Sequence, residues 1–302
     1  MQNKLVSIGL PTYKCESRIR KVLDTLLNQD YRNTELIISD DASPDNGYKI
    51  IEEYAKKDKR IKFFRQAENI GYLRNFELVL REAEGDYFMW AADDDNWEKN
   101  FISTLEEILD KNPNYGLAMP SMRQIFPNGQ VYKEIIFRGE KNLTNLSHLK
   151  IFRMALTKKP PIEFLYYGLW RTSEIKKLLF NEKFNGFLNT IAHDKILMYE
   201  ASLATRLYTI PEILWYKTTY RQVYYERYST VSRKMFLDDK GYWKFVSGAI
   251  RRLTFSPNIP FFRKLFLPYF IFIIVWAEKK NLLRELFPRF FRFLRCIFGG
   301  NK

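Results

Sequence analysis

The sequence has few cysteines and few histidines, which restricts the kinds of site that it can build. Cys15 and Cys296 are its two cysteines, and neither has neighbours at metal-ligand spacing. A disulfide framework and a zinc knuckle are therefore excluded, and a reducing cytoplasm suits this cysteine usage best. The sequence also lacks internal repeats and low-complexity stretches, and its 46% hydrophobic content is enough for a packed core.

Long apolar runs are missing as well. Met1 is followed almost directly by the strand-like run Val6–Leu10, without the apolar core and cleavage site of a signal peptide, so we expect a cytosolic start. Near the other end, the uncharged run Leu265–Ala277 contains Pro268 and is shorter than the ~20 residues that span a bilayer. We expect this run to lie on a membrane or dip into it, and not to cross it.

Positive charge is concentrated in the C-terminal segment. The net charge is +14, and residues 251–302 contain eleven Lys or Arg, interleaved with phenylalanines, against only Glu278 and Glu285. We expect residues 236–302 to form amphipathic helices that hold a peripheral or monotopic protein to the anionic, cytoplasmic face of the cell membrane. Nucleic-acid binding is the alternative, because Arg and Phe can track phosphates and stack on bases. The apolar runs are too continuous for a solvated groove, so we predict no nucleic-acid partner.

The first half alternates short apolar runs with amphipathic helical patterns. Leu5–Leu10, Leu36–Ser39, Ile61–Phe64 and Tyr87–Ala91 are predicted strands. This alternation is typical of βαβ units, so we predict an α/β fold with a Rossmann-like, mainly parallel sheet and flanking helices. Ligands bind beyond the carboxyl ends of such strands, so the loops that follow them should share one crevice.

Two groups of carboxylates fall at predicted strand ends. Asp93, Asp94 and Asp95 follow the fourth strand, and Asp40 and Asp41 follow the second. Adjacent carboxylates repel one another unless a cation occupies the site, and hard oxygen ligands suit Mg²⁺ or Mn²⁺ beside a substrate diphosphate. The alternatives are a solvated acidic turn for the triplet and a helix N-cap for the pair.

The motifs around these carboxylates resemble a known family. In chain order they are Val6-Ser7-Ile8-Gly9-Leu10-Pro11-Thr12-Tyr13, Leu36-Ile37-Ile38-Ser39-Asp40-Asp41-Ala42-Ser43, Asn69-Ile70-Gly71, and Gly85-Asp86-Tyr87-Phe88 leading to Asp93-Asp94-Asp95-Asn96-Trp97. They are similar to those of the family 2 glycosyltransferases, of the bacterial and archaeal polysaccharide type. The resemblance implies a GT-A fold and a nucleotide-sugar donor.

The resemblance also implies roles for individual residues. Pro11, Thr12 and Tyr13 would bind the donor, Asp41 would contact its base or ribose, and Asp93 its nucleotide. Asp94 and Asp95 would hold Mn²⁺ or Mg²⁺. Ala92 stands where the common Asp-x-Asp-Asp form has its first aspartate, so the division of labour among the three aspartates stays open.

Asn69 and Arg74 flank the predicted start of a helix whose positive end would face the donor diphosphate. Arg74 could assist there, or could be a solvated residue paired with Glu77. The basic segment Lys217–Arg233 is predicted to form a flexible loop over the donor phosphates.

An inverting transferase also needs a base that takes the acceptor's proton. The family places an acidic residue roughly 100 residues after the metal motif, often as Glu-Asp at a helix start, and His193 and Asp194 stand in that place. We predict Asp194 as the base, with His193 tuning it or sharing the proton. The alternative is a carboxylate that only stabilises the helix start.

These observations predict three parts: a nucleotide-sugar-binding half over 1–125, an acceptor-binding half with the base over 126–235, and the membrane-associating tail over 236–302. The processive family motif Gln-x-x-Arg-Trp is absent, so a single-sugar transfer is favoured. The expected acceptor is a glycan or lipid-linked glycan, in cell-surface polysaccharide synthesis, and the expected donor a UDP-sugar. A non-catalytic scaffold of the same fold is the alternative.

Overall fold

A computed structural model describes residues 4–137, 162–186, 193–220, 239–264 and 267–268 of the chain. The strands are β1 Val6–Thr12, β2 Thr34–Asp40, β3 Ile61–Arg65, β4 Tyr87–Trp90, β5 Asn96–Trp97, β6 Leu117–Ile125, β7 Val131–Ile135, β8 Leu169–Arg171 and β9 Leu207–Thr218. The helices are α1 Ile19–Leu27, α2 Gly47–Lys57, α3 Tyr72–Arg81, α4 Phe101–Lys111, α5 Thr172–Leu179, α6 His193–Ala204, α7 Asp239–Phe255 and α8 Phe261–Lys264, with a 3₁₀ helix over Ile162–Tyr167.

The first four strands form a parallel sheet in the order β3-β2-β1-β4. Every residue of β1, β2 and β4 is buried, as expected for parallel strands that are covered by helices on both faces. All four predicted strands of this half are confirmed. Helix α1 packs through the face that its apolar periodicity predicted, since Ile19, Val22, Leu23 and Leu26 are buried.

The second half continues the same sheet with mixed directions. Strand β8 pairs antiparallel with β4 and β6, β6 pairs parallel with β9, and β5 pairs antiparallel with β9. Residues Leu207–Thr218 form the single long strand β9, whose register against β6 shifts near Pro120 and Ser121. Because β8, β6 and β9 extend the sheet past β4, it crosses the predicted boundary at residue 125 without interruption.

Helix α7 packs into this body. Ala249, Arg252 and Leu253 on α7 are buried, as are Ser256 and Ile259 in the turn that follows. Part of the segment predicted to be a membrane tail is thus core of the folded protein. Within the ranges that the structure describes, no helix is both long and apolar enough to cross a bilayer. From residue 269 onward the predicted tail lies outside the described residues.

Candidate active site

Three strands end at the same edge of the sheet, as the sequence predicted. Thr12 of β1 lies beside Asp40 of β2, and Gly9 of β1 lies beside Trp90 at the end of β4. The backbone N–H of Asp41 donates to the carbonyl oxygen of Thr12 at 3.0 Å, which ties the first two loops together. The loops with Pro11–Tyr13, Asp40–Ser43 and Asp93–Asp95 therefore meet at one edge, the position where α/β sheets bind ligands.

The Asp40 and Asp41 carboxylates are buried and are held by the backbone around them. Asp40 accepts hydrogen bonds from the backbone N–H of Ser43, at 3.1 Å, and from its hydroxyl. Asp41 accepts from the N–H groups of Ile70, at 2.7 Å, and Gly71, at 3.2 Å. The N-cap of α2 is Asn46, and Asp45 just before it accepts from Gly47 N–H at 3.1 Å, so neither Asp40 nor Asp41 caps the helix. Asp41 therefore fixes the loop that leads into α3, and its contact with the donor stays a prediction.

The loop before α3 carries the next predicted donor residues. The Asn69 side-chain amide donates to the Asp41 carbonyl oxygen at 3.1 Å, and Gly71 takes the positive φ of 86° that lets the chain turn into the helix. Arg74 is exposed on the first turn of α3. The loop is therefore anchored to the acidic pair, while the Arg74 side chain faces solvent.

An arginine that the motifs did not indicate holds the first aspartate of the triplet. The Arg18 Nη2 donates to Asp93 Oδ2 at 2.8 Å, its Nε donates to the Asp93 carbonyl oxygen at 3.1 Å, and Tyr13 N–H donates to Asp93 Oδ2 at 3.4 Å. Burial raises the pKa of Asp93, and the Arg18 charge opposes that rise. A sequence signal existed, because a cation just before α1 opposes the helix dipole and needs another partner.

The third aspartate is locked to β9. Asp95 is fully buried; its Oδ2 accepts from the indole N–H of Trp215 at 3.0 Å, and its Oδ1 accepts from Thr218 N–H at 3.0 Å. The Lys217 Nζ lies 3.6 Å from Asp95 Oδ2. Burial raises the pKa of Asp95, and Lys217 opposes that rise. Burial alone would lower the pKa of Lys217, but Asp95, Tyr167 and Asp94 together outweigh it and the pKa is raised. With both oxygens engaged by protein donors, this geometry does not favour the predicted role of Asp95 as a metal ligand.

The middle aspartate differs from its two neighbours. Asp94 is partly exposed, and no donor from the described ranges hydrogen-bonds its carboxylate. Those ranges also contain no group of three or more metal-ligating side chains. Mg²⁺ and related ions commonly bind through one or two carboxylates with waters and substrate phosphates. Asp94, with its flanking partners fixed, fits such a shared site, in which the donor itself supplies ligands.

A layer of aromatic rings lies beside this turn, and the charge of the candidate base acts on it. Tyr166 stacks on Trp90 at the end of β4, with ring centroids 4.1 Å apart, and Tyr167 lies 5.3 Å from the Trp215 ring. Burial raises the pKa of Tyr167 to about 12, against the lowering effect of Lys217, and the charges of Asp95 and Asp194 add to the rise. The Asp194 charge thus acts on Tyr167, whose ring packs on Trp215, the residue that donates to Asp95.

Asp194 is half-buried in the first turn of α6, where the helix dipole favours a carboxylate, so the stabilising role and the base role are both open to it. His193 begins the same helix, and its side chain lies outside the described residues. The basic segment begins with Lys217, which lies beside Asp95. Tyr220 follows, and its pKa is raised by burial and by the Asp94 charge. Residues 221–233 of that segment lie outside the described residues.

Known proteins resemble the chain in sequence. The model of "Glycosyl transferase family 2" matches residues 7–170. A Campylobacter jejuni protein, GalNAc(5)-diNAcBac-PP-undecaprenol beta-1,3-glucosyltransferase, is 29% identical over 60% of this chain and 56% of its own length. An uncharacterised glycosyltransferase of Haemophilus influenzae is 38% identical over 32% of this chain and 38% of its own length. The chain thus spans between about two fifths and just over half of these relatives.

Solved structures share the fold. Staphylococcus aureus TarS 1–349 in complex with UDP matches with a TM-score of 0.58 and 21% identity, over 82% of this chain and 70% of that one. The mannosyltransferase PcManGT from Pyrobaculum calidifontis, in complex with GDP-Man and Mn²⁺, matches with a TM-score of 0.60 and 17% identity, over 91% and 72%. The mixed sheet is therefore that of the GT-A glycosyltransferases. Since the family model also covers more than half of the sequence, the chain belongs to glycosyltransferase family 2.

Proposed function

We propose that the protein is an inverting, metal-dependent glycosyltransferase, which moves a single sugar from a nucleotide sugar to a hydroxyl of a glycan or lipid-linked glycan. The observation that carries this proposal is the arrangement of the triplet at the shared strand edge. Arg18 holds Asp93, and Trp215 with Thr218 holds Asp95, so Asp94 is presented between two fixed neighbours. Such preorganisation is what a site for a leaving diphosphate needs.

The donor would bind at this edge. Asp41 and Asn69 order the loops around the nucleoside, Pro11–Tyr13 line the β1 side, and Asp93 meets the nucleotide. Mn²⁺ or Mg²⁺ at Asp94 would neutralise charge that develops on the diphosphate. Lys217 and Arg18 bring two more cations to the same turn, which adds to the stabilisation of that charge. The UDP of the TarS complex and the GDP-Man of PcManGT support a nucleotide-sugar donor, and we propose that this donor is a UDP-sugar.

The acceptor would be activated by Asp194. As the acceptor oxygen bonds to the anomeric carbon, the bond from that carbon to the diphosphate oxygen breaks and the acceptor's proton passes to the Asp194 carboxylate. Trp90 and Tyr166 stack as buried rings, and the Asp194 charge acts on Tyr166, so the carboxylate would work next to an apolar layer.

The setting we propose is cell-surface polysaccharide synthesis at the cytoplasmic face of the cell membrane, with the protein peripheral or monotopic. The named acceptor of the Campylobacter relative is lipid-linked, which supports such an acceptor here. The abundance of cations and phenylalanines after residue 250 supports contact with an anionic membrane.

The test is calorimetric titration of UDP in the presence and absence of Mn²⁺. Asp94→Asn should weaken UDP binding in Mn²⁺ by at least about tenfold and leave metal-free binding unchanged, because only the cation's protein ligand is lost. Glu52→Gln removes an exposed carboxylate on α2 and should change neither. Asp95→Asn should keep the Mn²⁺ dependence, because in this proposal Asp95 bonds to β9 and only Asp94 binds the metal.

An unchanged Mn²⁺ effect in Asp94→Asn would refute the assignment of this carboxylate. Binding of UDP without hydrolysis or transfer of a UDP-sugar, for any acceptor tried, would instead favour the scaffold alternative.

A further inference from the structure

Helix α7 presents two chemically different faces. Ala249, Arg252 and Leu253 are buried, whereas Ile250 and Phe255, the last residue of the helix, are exposed. Phe261 begins α8, after the turn that follows Phe255. Phe261, at 79%, and Phe255, at 61%, are the two most exposed large hydrophobic side chains of the described part of the chain. Exposed apolar groups that cluster along the chain mark contact surfaces more often than scattered ones do.

The turn that joins the two phenylalanines is fixed to the body. The Ser256 hydroxyl donates to Glu200 Oε1 at 2.5 Å, and Asn258 N–H donates to the Ser256 hydroxyl at 3.1 Å. The Asn258 side-chain amide donates to the Lys177 carbonyl oxygen at 3.0 Å, and Ile259 is buried. The exposed rings are therefore held by a rigid turn, and their exposure does not come from a frayed helix end.

The helix is also joined to the helix of the candidate base. Arg252 is buried on α7 and forms an ion pair with the buried Glu200 of α6. The same guanidinium donates to the carbonyl oxygens of Leu178 and Gly186. A contact made by the outer face of α7 is thus fixed in orientation relative to α6, whose first turn carries Asp194.

The charge around the exposed rings has one sign. Arg251 is exposed and Lys264 is partly exposed. From Gly241 to Ala277 the sequence has five Lys or Arg and no Asp or Glu. Protruding aromatic rings flanked by cations, with no acidic residue among them, complement an anionic lipid surface, where rings enter the headgroup boundary and cations meet phosphates.

We propose that Ile250, Phe255 and Phe261, with Arg251 and Lys264, form a docking surface for an anionic lipid bilayer. This inference rests on the proposed membrane location, and it places a contact on the first part of the segment 236–302, which packs on the folded domain. Through Arg252 and Glu200, docking by this surface holds the acceptor half of the site at a fixed angle to the bilayer.

The experiment is flotation of the full chain with vesicles of phosphatidylcholine alone or mixed with phosphatidylglycerol. Phe255→Ser with Phe261→Ser should lower partitioning onto the anionic vesicles by about tenfold or more, because two rings that would be buried in the bilayer are lost. The matched control is Val131→Ser with Ile136→Ser, two half-exposed apolar residues at β7, which should change nothing. A second variant, Arg251→Glu with Lys264→Glu, should weaken binding to anionic vesicles and leave binding to neutral ones unchanged. Near-ultraviolet circular dichroism and UDP binding check the fold of each variant.

The outcomes separate the two proposals. A full chain that ignores both kinds of vesicle overturns the membrane location and the docking surface together. If the full chain binds but the phenylalanine variant binds equally well, other parts of the chain make the contact and the docking surface is overturned. A phenylalanine variant that keeps its vesicle binding but changes from dimer to monomer in size-exclusion chromatography would assign these rings to a contact between copies.

Discussion

The two halves of the sheet hold their functional side chains in different ways. In the parallel half, Asp40 accepts from Ser43 in the same loop, and Asp41 accepts from Ile70 and Gly71 in the loop after β3, 29 and 30 residues away. In the mixed half, Asp95 depends on Trp215 and Thr218, more than a hundred residues away, and Glu200 depends on Arg252. The first kind of site can be assembled locally from motifs, whereas the second exists only once the whole sheet has formed.

Asp94 and Asp95 show what this difference means for a site. The two are adjacent in sequence and look equivalent as carboxylates. The distant strand β9 distinguishes them, because it engages both oxygens of Asp95, whereas Asp94 is partly exposed; the roles that we propose for the two differ for this reason. A chemical role can thus be decided by a partner that no local pattern reveals.

The largest expected effect is that of Asp194→Asn, which tests whether the half of the protein that contains the mixed strands contributes a catalytic group or only structural support. We expect turnover to fall by about 10²–10⁴ with donor affinity near normal, because only proton removal from the acceptor is lost. Steady-state kinetics with calorimetry of UDP binding measures both. If turnover falls less than about tenfold, the base is another group, and His193→Gln is the next variant.

The next largest effect concerns stability. Arg252→Met leaves Glu200 buried without its partner, which should lower the free energy of unfolding by about 3–5 kcal/mol. Arg251→Met is the matched control, because the neighbouring arginine is exposed, and it should change stability by less than about 0.5 kcal/mol. Urea denaturation followed by tryptophan fluorescence measures both variants. The double variant Arg252→Met with Glu200→Gln should recover part of the loss, because no buried charge is then unpaired.

Sequence reasoning reached the parts of the site that local pattern encodes. The strands β1 to β4 and the shared edge after them followed from periodicity, the acidic loops from motifs, and the helix start at His193 from the family resemblance. Strand β7, at an edge, and strand β8, inside the sheet, were missed, because β8 is only three residues long and β7 is exposed over most of its length. The Asp95 lock and the Glu200–Arg252 pair could not be predicted, since each joins segments whose proximity depends on the complete sheet order.

The smallest expected effect sharpens the comparison within the parallel half, at the arginine that the motifs did not indicate. Arg18→Gln removes the charge that holds Asp93 and orders Tyr13, so we expect a loss of about 1–2 kcal/mol in stability. UDP affinity in Mn²⁺ should fall with it, because Asp93 is then free to leave the position next to Asp94. Arg20→Gln is the control: its ion pair with Glu53 is more than half exposed, and such pairs contribute roughly 0–1 kcal/mol. Thermal denaturation with and without UDP and Mn²⁺ separates the two contributions. Equal small losses in both variants, with UDP affinity unchanged, would show that Arg18 is a surface partner of α1 and that Asp93 needs no help to keep its place.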